Sequence, residues 1–220
     1  MGNQKVLSRS AIRRQREREE RYQTILRAAE TLFYEKGYHQ TSITQISDLA
    51  EVSVGTVYFY FKNKEDLLIH LLDEISFLFR SRIGKEFKNT GESLDGIMKA
   101  GYLFFDEFCR LFPEKLAIMY RESVGQSSLV NECRMNHQAK IIGDVEGAIL
   151  QAAEKMGFDL PGQDTAEVIA VSITGIFDSI ASHFLFSKKR SGDLKSVGDD
   201  AITFLIGGIK NLFVPKKAKI

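Results

Sequence analysis

Residues 41–68, TSITQISDLAEVSVGTVYFYFKNKEDLL, constrain the fold more than any other stretch of the chain. Apolar residues recur there at helical spacing and predict one short helix; they are Ile43, Ile46, Leu49 and Ala50. The three residues that follow are too few for anything but a turn, and Ser53 is a favoured N-cap for a second helix. That second helix begins with the small residues Gly55 and Thr56 and continues as an aromatic run. The pattern predicts a helix-turn-helix.

The rest of the chain also has a helical pattern. The 220 residues contain three prolines, and period-two alternation is scarce, so helices separated by short Gly, Asn or Pro segments are expected. We predict an all-α class with nine helices and no sheet, in two domains. A flexible basic arm is expected over residues 1–19, the helix-turn-helix domain over 20–68 and a second domain over 69–220. The last three helices are predicted at 128–156, 165–187 and 194–212.

Positive charge is concentrated at the N-terminal end. The net charge is only +1, so the composition alone does not indicate a nucleic-acid partner. Residues 1–16, however, contain basic residues and no acidic one: Lys5, Arg9, Arg13, Arg14 and Arg16. A solvated helix face is one interpretation, because Glu17, Glu19 and Glu20 follow. Phosphate contact is favoured for Arg9, Arg13 and Arg14, for which we expect no acidic partner.

Several protein classes are not indicated. Cys109 and Cys133 lack the spacing of zinc sites or of a disulfide framework, so we expect a reducing compartment, the cytoplasm, and no metal site. The four histidines accompany no catalytic or cofactor motif, so neither an enzyme nor a cofactor is expected. No run approaches ~18 uninterrupted apolar residues, and the N-terminus lacks the apolar segment of a signal peptide. A membrane-surface helix would need bulky apolar residues before Tyr22, and a DNA-compacting protein far more positive charge.

The helix-turn-helix segment resembles the DNA-binding domain of TetR-family transcriptional regulators. The similar pattern runs from Gly37-Tyr38 through Thr41-Ser42-Ile43 and Ala50-x-Val52-Ser53-x-Gly55-Thr56-x-Tyr58-x-Tyr60-Phe61 to Lys64-Glu65-x-Leu67-Leu68. The nine-helix layout and the chain length are also similar to that family. The chain departs from the pattern at Ser47, where the family usually has Ala, and at Glu51, where it usually has Gly. If Glu51 takes the left-handed conformation that Gly prefers, the turn costs about 1 kcal/mol.

The resemblance implies which residues contact DNA. The start of the second motif helix would face the major groove, with Tyr58 and Lys64 on backbone phosphates. The implied set is Ser42, Thr44, Val54, Gly55, Thr56, Tyr58, Phe59 and Lys64, to which the charge pattern adds Arg13 and Arg14. Core packing is the alternative for both tyrosines, and the helical period assigns it to Tyr60. The motif's two helices contain no base-reading Arg or Asn and one Gln, so specificity would rest on methyl contacts, DNA shape and dimer spacing.

The resemblance further implies a homodimer through helices 8 and 9 on a palindromic operator, and an effector site among helices 5 to 8. The expected ligand residues are Tyr102, Phe105, Tyr120, Arg121, His137, Phe177 and Asp178, although core packing is an alternative for the aromatic ones. The expected effector is a small hydrophobic compound of acyl type, and the expected function is a ligand-responsive regulator, a repressor. The alternatives are a DNA-binding protein without an effector and a helical interaction module that does not bind DNA.

Overall fold

A computed structural model describes residues 8–187 and 194–216 of the chain. The chain divides into two compact units, Met1–Leu71 and Leu72–Ile220. The division falls within one helix, a few residues beyond the predicted boundary.

The N-terminal unit contains α1 (Arg9–Lys36), α2 (Ile43–Leu49) and α3 (Val54–Tyr60), and α4 (Lys64–Asn89) begins in it. Helix α1 begins earlier than predicted because Ser8 caps it, accepting a hydrogen bond from the amide of Ala11. Residues 9–19, predicted as part of a flexible arm, are therefore helical. Residues 1–7 of the predicted arm, including Lys5, lie outside the described residues.

The core of this unit is built from the inner faces of its helices. Helix α1 contributes a stripe with helical spacing that is almost completely buried: Ile25, Leu26, Ala29, Leu32 and Phe33. Ile46 of α2, Val57 of α3 and Phe61 at the end of α3 are likewise at most 1% exposed. At the C-terminal end of α1, the Thr41 hydroxyl donates to the carbonyl oxygens of Leu32 and Gly37. These contacts fix where α2 and α3 lie against α1.

The C-terminal unit contains the rest of α4 and five further helices. Helix α5 comprises Leu94–Tyr102, a π-helical segment Leu103–Phe108 and Cys109–Leu111. Helix α6 comprises Pro113–Ala117 and the π-helical segment Ile118–Glu122, and α7 is Ser128–Lys155. Helix α8 comprises Thr165–Ser182 and the π-helical segment His183–Ser187, and α9 is Leu194–Leu212. The described residues thus form nine helices, which confirms the predicted all-α class.

A very short sheet departs from the prediction of no sheet. Phe158–Asp159 (β1) pairs antiparallel with Val214–Pro215 (β2). Gly157, with a φ of 75°, ends α7 and turns the chain, and its carbonyl accepts from the Lys216 amide. The rings of Phe158 and Phe213 lie 5.8 Å apart and hold the two segments together.

Helices α4 and α7 run side by side in the same direction. Polar contacts join them at several levels along their length: Asp73 with His137, Arg80 with Asp144, and Glu92, just after α4, with Lys155. Each pair is 63 or 64 residues apart in sequence, which is the constant offset of a parallel packing. This pair of helices forms one wall of the cavity described below.

Candidate DNA-binding surface and ligand cavity

Helix α3 presents two of its faces outward and one to the core. Val57 is fully buried, whereas Tyr58 is 54% and Phe59 68% exposed. Val54 and Gly55, one turn earlier, are also exposed. Tyr60 packs beside Tyr22, with its hydroxyl donating to the carbonyl oxygen of Arg18, as its predicted packing role requires. An exposed helix face with two aromatic side chains and a small-residue start is available to a groove.

The starts of α2 and α3 are capped by serines. The Ser42 hydroxyl accepts from the Gln45 amide, and the Gln45 side chain accepts in return from the Ser42 amide. The Ser53 hydroxyl accepts from the Thr56 amide and lies 2.8 Å from its hydroxyl. The one amide side chain of the motif's two helices is thereby used in a capping box. Thr44 is exposed beside this N-terminus, where backbone N–H groups favour a phosphate.

Glu51 occupies the turn between α2 and α3 in the left-handed region, with a φ of 53°. Its amide donates to the Asp48 carbonyl, and the next amide, of Val52, donates to the carbonyl of Ser47. The buried Ser47 hydroxyl bonds back to the Thr44 carbonyl, so a hydroxyl is accommodated where the family usually has Ala. The hydrogen bonds of the turn are thus made with Ser47 and Glu51 in place.

Lys64 has a different arrangement from the one predicted. Its ammonium donates to the carbonyl oxygens of Tyr38 at 2.7 Å and Thr41 at 2.8 Å. It also lies 4.4 Å from the centre of the Tyr38 ring, and partial burial lowers its pKa. Most of its donor capacity is spent inside the unit, tying the start of α4 to the loop before α2. These contacts favour a structural role for Lys64, and its phosphate contact stays a prediction.

The basic residues at the start of α1 are exposed. Arg13 pairs with Glu17, one turn later, at 2.7 Å, which corrects the expectation that Arg13 has no acidic partner. This hydrogen bond raises the pKa of Arg13 and lowers that of Glu17. Both side chains are solvated, so a phosphate can compete for the guanidinium. Arg14 reaches only the carbonyl of Ser10, at 3.4 Å.

A cavity of about 1320 Å³ lies within the C-terminal unit. Its wall includes apolar residues from several helices: Leu72, Phe79, Phe87, Ile97, Met98, Phe104, Met119, Ile141, Val145, Phe177, Ile202, Leu205 and Ile206. Pockets for drug-sized ligands occupy about 300–1,000 Å³. The cavity is therefore large enough for a long aliphatic chain together with a polar group.

Four of the seven predicted ligand residues line this cavity: Tyr120, His137, Phe177 and Asp178. Tyr102 and Phe105 do not. Phe105 is 1% exposed and packs on the ring of Phe177. It also lies so close to Gly198 that a Cβ added to that glycine would be 2.6 Å from the Cβ of Phe105. Arg121 is also absent from the wall; it pairs with Glu122 and lies over the Phe186 ring. The helical period alone does not separate a residue that faces a cavity from one that faces a neighbouring helix.

The strongest polar feature of the cavity is a hydrogen bond between α6 and α8. The Tyr120 hydroxyl donates to Asp178 at 2.6 Å. Burial raises the pKa of Asp178, and the Tyr120 hydrogen bond and the charge of Arg134 oppose that rise. Burial and the Asp178 charge raise the pKa of Tyr120 well above its usual value. The pair offers a polar anchor beside the apolar residues of the wall.

Sequence reasoning missed the basic side chains of the cavity, which are Arg80, Lys85, Lys88 and Arg134. Arg80 is held by Asp144 through two hydrogen bonds of 2.6 and 3.0 Å. These residues lie on α4 and α7, and only the side-by-side arrangement of the two helices places all four in the wall of one cavity. The three π-helical segments were also missed, although each contributes to the wall, through Phe104, Tyr120 and His183. Such segments often occur at functional sites.

Helices α8 and α9 each keep one apolar face uncovered. Val168 and Val171 of α8 are exposed, and Phe204 of α9 is 73% exposed. Gly175, Gly207 and Gly208 lie on these exposed faces, with nothing within 4 Å of an added Cβ. Within the described residues, Thr165–Phe186 is the one helical segment long and apolar enough to cross a membrane, and 28% of its apolar 18-residue stretch is buried.

Comparisons with known proteins find bacterial transcriptional regulators. Residues 25–71 match the family model for bacterial regulatory proteins, tetR family. The HTH-type transcriptional regulator TtgR of Pseudomonas putida is 38% identical over 204 residues, covering 88% of this chain and 95% of that protein. The fatty acid metabolism regulator protein of Bacillus subtilis is 28% identical over 192 residues, covering 87% of this chain and 96% of that protein. The crystal structure of the transcriptional regulator FadR from Bacillus subtilis in complex with stearoyl-CoA has a TM-score of 0.73 at 21% identity. The similarity covers 85% of this chain and 98% of that chain, and it shows that the two chains share a fold.

Proposed function

The chain belongs to the TetR family of bacterial regulatory proteins, and from that membership we propose how it binds DNA, dimerises and recognises its effector. It is a ligand-responsive transcriptional regulator. We place it in the cytoplasm, where its DNA is, and assign repression of the genes beside its operator as its action. The uncovered face of α8 then belongs to a subunit contact and not to a membrane.

The DNA-binding surface is the exposed face of α3 with the capped start of α2. Val54, Gly55 and Phe59 contact base edges in the major groove, where apolar side chains press on thymine methyl groups. Tyr58 and Thr56 reach the sugar-phosphate backbone beside the groove, and Ser42 and Thr44 hold a phosphate at the start of α2. Arg13 and Arg14, exposed on α1, add phosphate contacts. Lys64 acts by fixing the position of α2.

The subunits associate through α8 and α9. The exposed faces of these helices carry apolar side chains next to glycines, which permit close approach of two helices. A two-fold axis lets the same face serve both subunits and presents two α3 helices to a palindrome.

The effector is a long-chain acyl compound with an anionic head group, such as an acyl-CoA thioester. One observation carries this proposal: a cavity of about 1320 Å³ combines a mostly apolar wall with basic side chains from α4 and α7. The acyl chain lies along the aromatic residues, and the head group is met by Lys85 and Lys88 of α4. The Bacillus subtilis regulator of the same fold was solved with stearoyl-CoA, which supports the assignment.

Native mass spectrometry with a series of acyl-CoA thioesters tests the effector class. We expect one thioester bound per subunit, with affinity rising with chain length, and no binding of CoA without an acyl chain. Gly147 lines the cavity, and a Cβ there meets nothing within 4 Å. Gly147→Phe should therefore project a ring into the cavity and weaken binding at least ~10-fold, while the matched control Gly147→Ala should bind as the parent does. Equal binding by both variants would contradict the assignment.

A salt titration of DNA binding tests the regulator itself. The operator probe is a palindromic fragment from beside the gene, and the control is the same fragment with its two half-sites scrambled. We expect tighter binding to the palindrome at every salt concentration, and a linear fall of log affinity with log salt. Equal affinity for the two fragments would contradict sequence-specific regulation.

A further inference from the structure

A second cluster of polar side chains lies where α4 faces α7. Cys133 and His137 are one helical turn apart on α7, and Asp73 approaches them from α4. His137 Nε2 lies 2.8 Å from Asp73 Oδ1, and Cys133 Sγ lies 3.8 and 3.9 Å from the two nitrogens of the His137 ring. The three donor atoms all lie within 4.8 Å of one another. We propose that Asp73, Cys133 and His137 bind a divalent transition metal ion of the zinc type.

The donor set selects the class of ion. A thiolate, an imidazole and a carboxylate suit Zn²⁺ and Co²⁺, whereas Mg²⁺ and Ca²⁺ require oxygen ligands. Three protein ligands leave one tetrahedral position for water or another small ligand. The thiol proton passes to solvent when the Cys133 sulfur becomes a ligand.

The distances fit such an ion with little rearrangement. Metal bonds of about 2.0–2.3 Å at tetrahedral angles place ligand atoms about 3.3–3.6 Å apart. The observed separations lie on either side of that range, with the Asp73 oxygen too close to His137 and the Cys133 sulfur slightly too far. The Asp73 side chain is 56% exposed and has room to turn, while the buried His137 side chain holds the site in place.

The sequence contains a signal for this site in the four-residue spacing of Cys133 and His137, which places both on one face of a helix. The third ligand comes from a different helix, so spacing alone does not reveal it. His137 also lines the cavity, and a bound ion would tie α4 to α7 at the cavity wall. The competing account is a hydrogen-bonded Asp73–His137 pair with Cys133 as a bystander, and it predicts no thiolate–metal bond.

Titration of the reduced, full-length protein with Co²⁺ separates the two accounts. Thiolate coordination gives a sulfur-to-cobalt charge-transfer band in the near ultraviolet, and tetrahedral geometry gives visible d–d bands. The chain has two cysteines, so Cys133→Ser and Cys109→Ala assign the band to one of them. We expect the band at one Co²⁺ per chain, its loss in Cys133→Ser, its retention in Cys109→Ala and its displacement by Zn²⁺. Helical circular dichroism should be unchanged in each variant.

Asp73→Asn tests the third ligand at an exposed position. We expect Co²⁺ affinity to fall at least ~10-fold, because even outer-shell changes cost about 10–100-fold. The proposal is overturned if the parent protein gives no charge-transfer band, or if the band survives Cys133→Ser or disappears with Cys109→Ala. Unchanged affinity in Asp73→Asn would overturn the three-residue assignment.

Discussion

At the scale of single residues, Glu51 shows how a local cost is tolerated in the DNA-binding motif. Its φ of 53° places a side chain with a Cβ in the left-handed region. We expect Glu51→Gly to raise the free energy of unfolding by up to about 1 kcal/mol, because glycine adopts this conformation without steric cost. Urea denaturation measures the change. Glu51→Ala is the control, since it removes the charge but keeps the Cβ, and an equal gain there would contradict the backbone explanation.

Lys64 illustrates a residue whose role depends on contacts outside its own helix. Lys64→Met removes the hydrogen bonds to the Tyr38 and Thr41 carbonyls and should lower the free energy of unfolding by about 1–3 kcal/mol. The slope of log DNA affinity against log salt should not change. If Lys64 contacts a phosphate instead, Lys64→Met should reduce the magnitude of that slope by about 1 and leave the free energy of unfolding unaltered. This result would support the role predicted from the resemblance.

Asp178 gives a pH dependence with a definite sign. Burial raises its pKa in the folded protein, so the folded state holds its proton more tightly than the unfolded chain does. Its contribution to stability is fully present below the unfolded pKa, near 3.9, and is lost as pH rises through the folded pKa. We expect Asp178→Asn, measured against the parent by urea denaturation from acid to neutral pH, to become relatively more stable as pH rises. Each tenfold change in the acid constant is worth about 1.4 kcal/mol. A pH-independent difference would contradict the assigned direction.

At the scale of helices, α9 carries the clearest consequence for assembly. Phe204→Glu should dissociate the proposed dimer, because two buried phenylalanines contribute about 3–6 kcal/mol and two carboxylates would replace them. Sedimentation velocity should show the mass of one chain at micromolar concentration. Phe77→Glu, on α4 and 74% exposed, is the matched control and should remain dimeric. Loss of the dimer in both variants, or in neither, would contradict the proposed interface.

Helix positions were predicted well where the local residue pattern determines them, and less well where contacts between helices determine them. The capped starts at Ser42 and Ser53 and the buried face of α3 follow from local chemistry, so the motif was predicted from sequence. The start of α1 was not, because the polar run after Ser8 has no apolar stripe to indicate a helix. The π-helical segments and the basic side chains of the cavity depend on contacts between helices, as Arg80 with Asp144 shows. Arg121, predicted as a ligand residue, lies over Phe186 for the same reason.

At the scale of the whole molecule, we propose that effector binding in the cavity and DNA binding are coupled. An effector that binds one arrangement of the protein more tightly changes operator affinity through the difference in binding free energy. Couplings of about 1–3 kcal/mol correspond to a 5- to 150-fold change in affinity. The family's usual sense is release, so a long-chain acyl-CoA should weaken operator binding.

Fluorescence anisotropy of a labelled palindromic operator, titrated with the full-length protein, tests this claim most directly. With saturating long-chain acyl-CoA, we predict operator affinity about 5- to 150-fold lower than with CoA alone, and a need for at least ~10-fold more acyl-CoA to reach the same effect in Gly147→Phe. Operator affinity that stays the same while the acyl-CoA is bound would contradict the account.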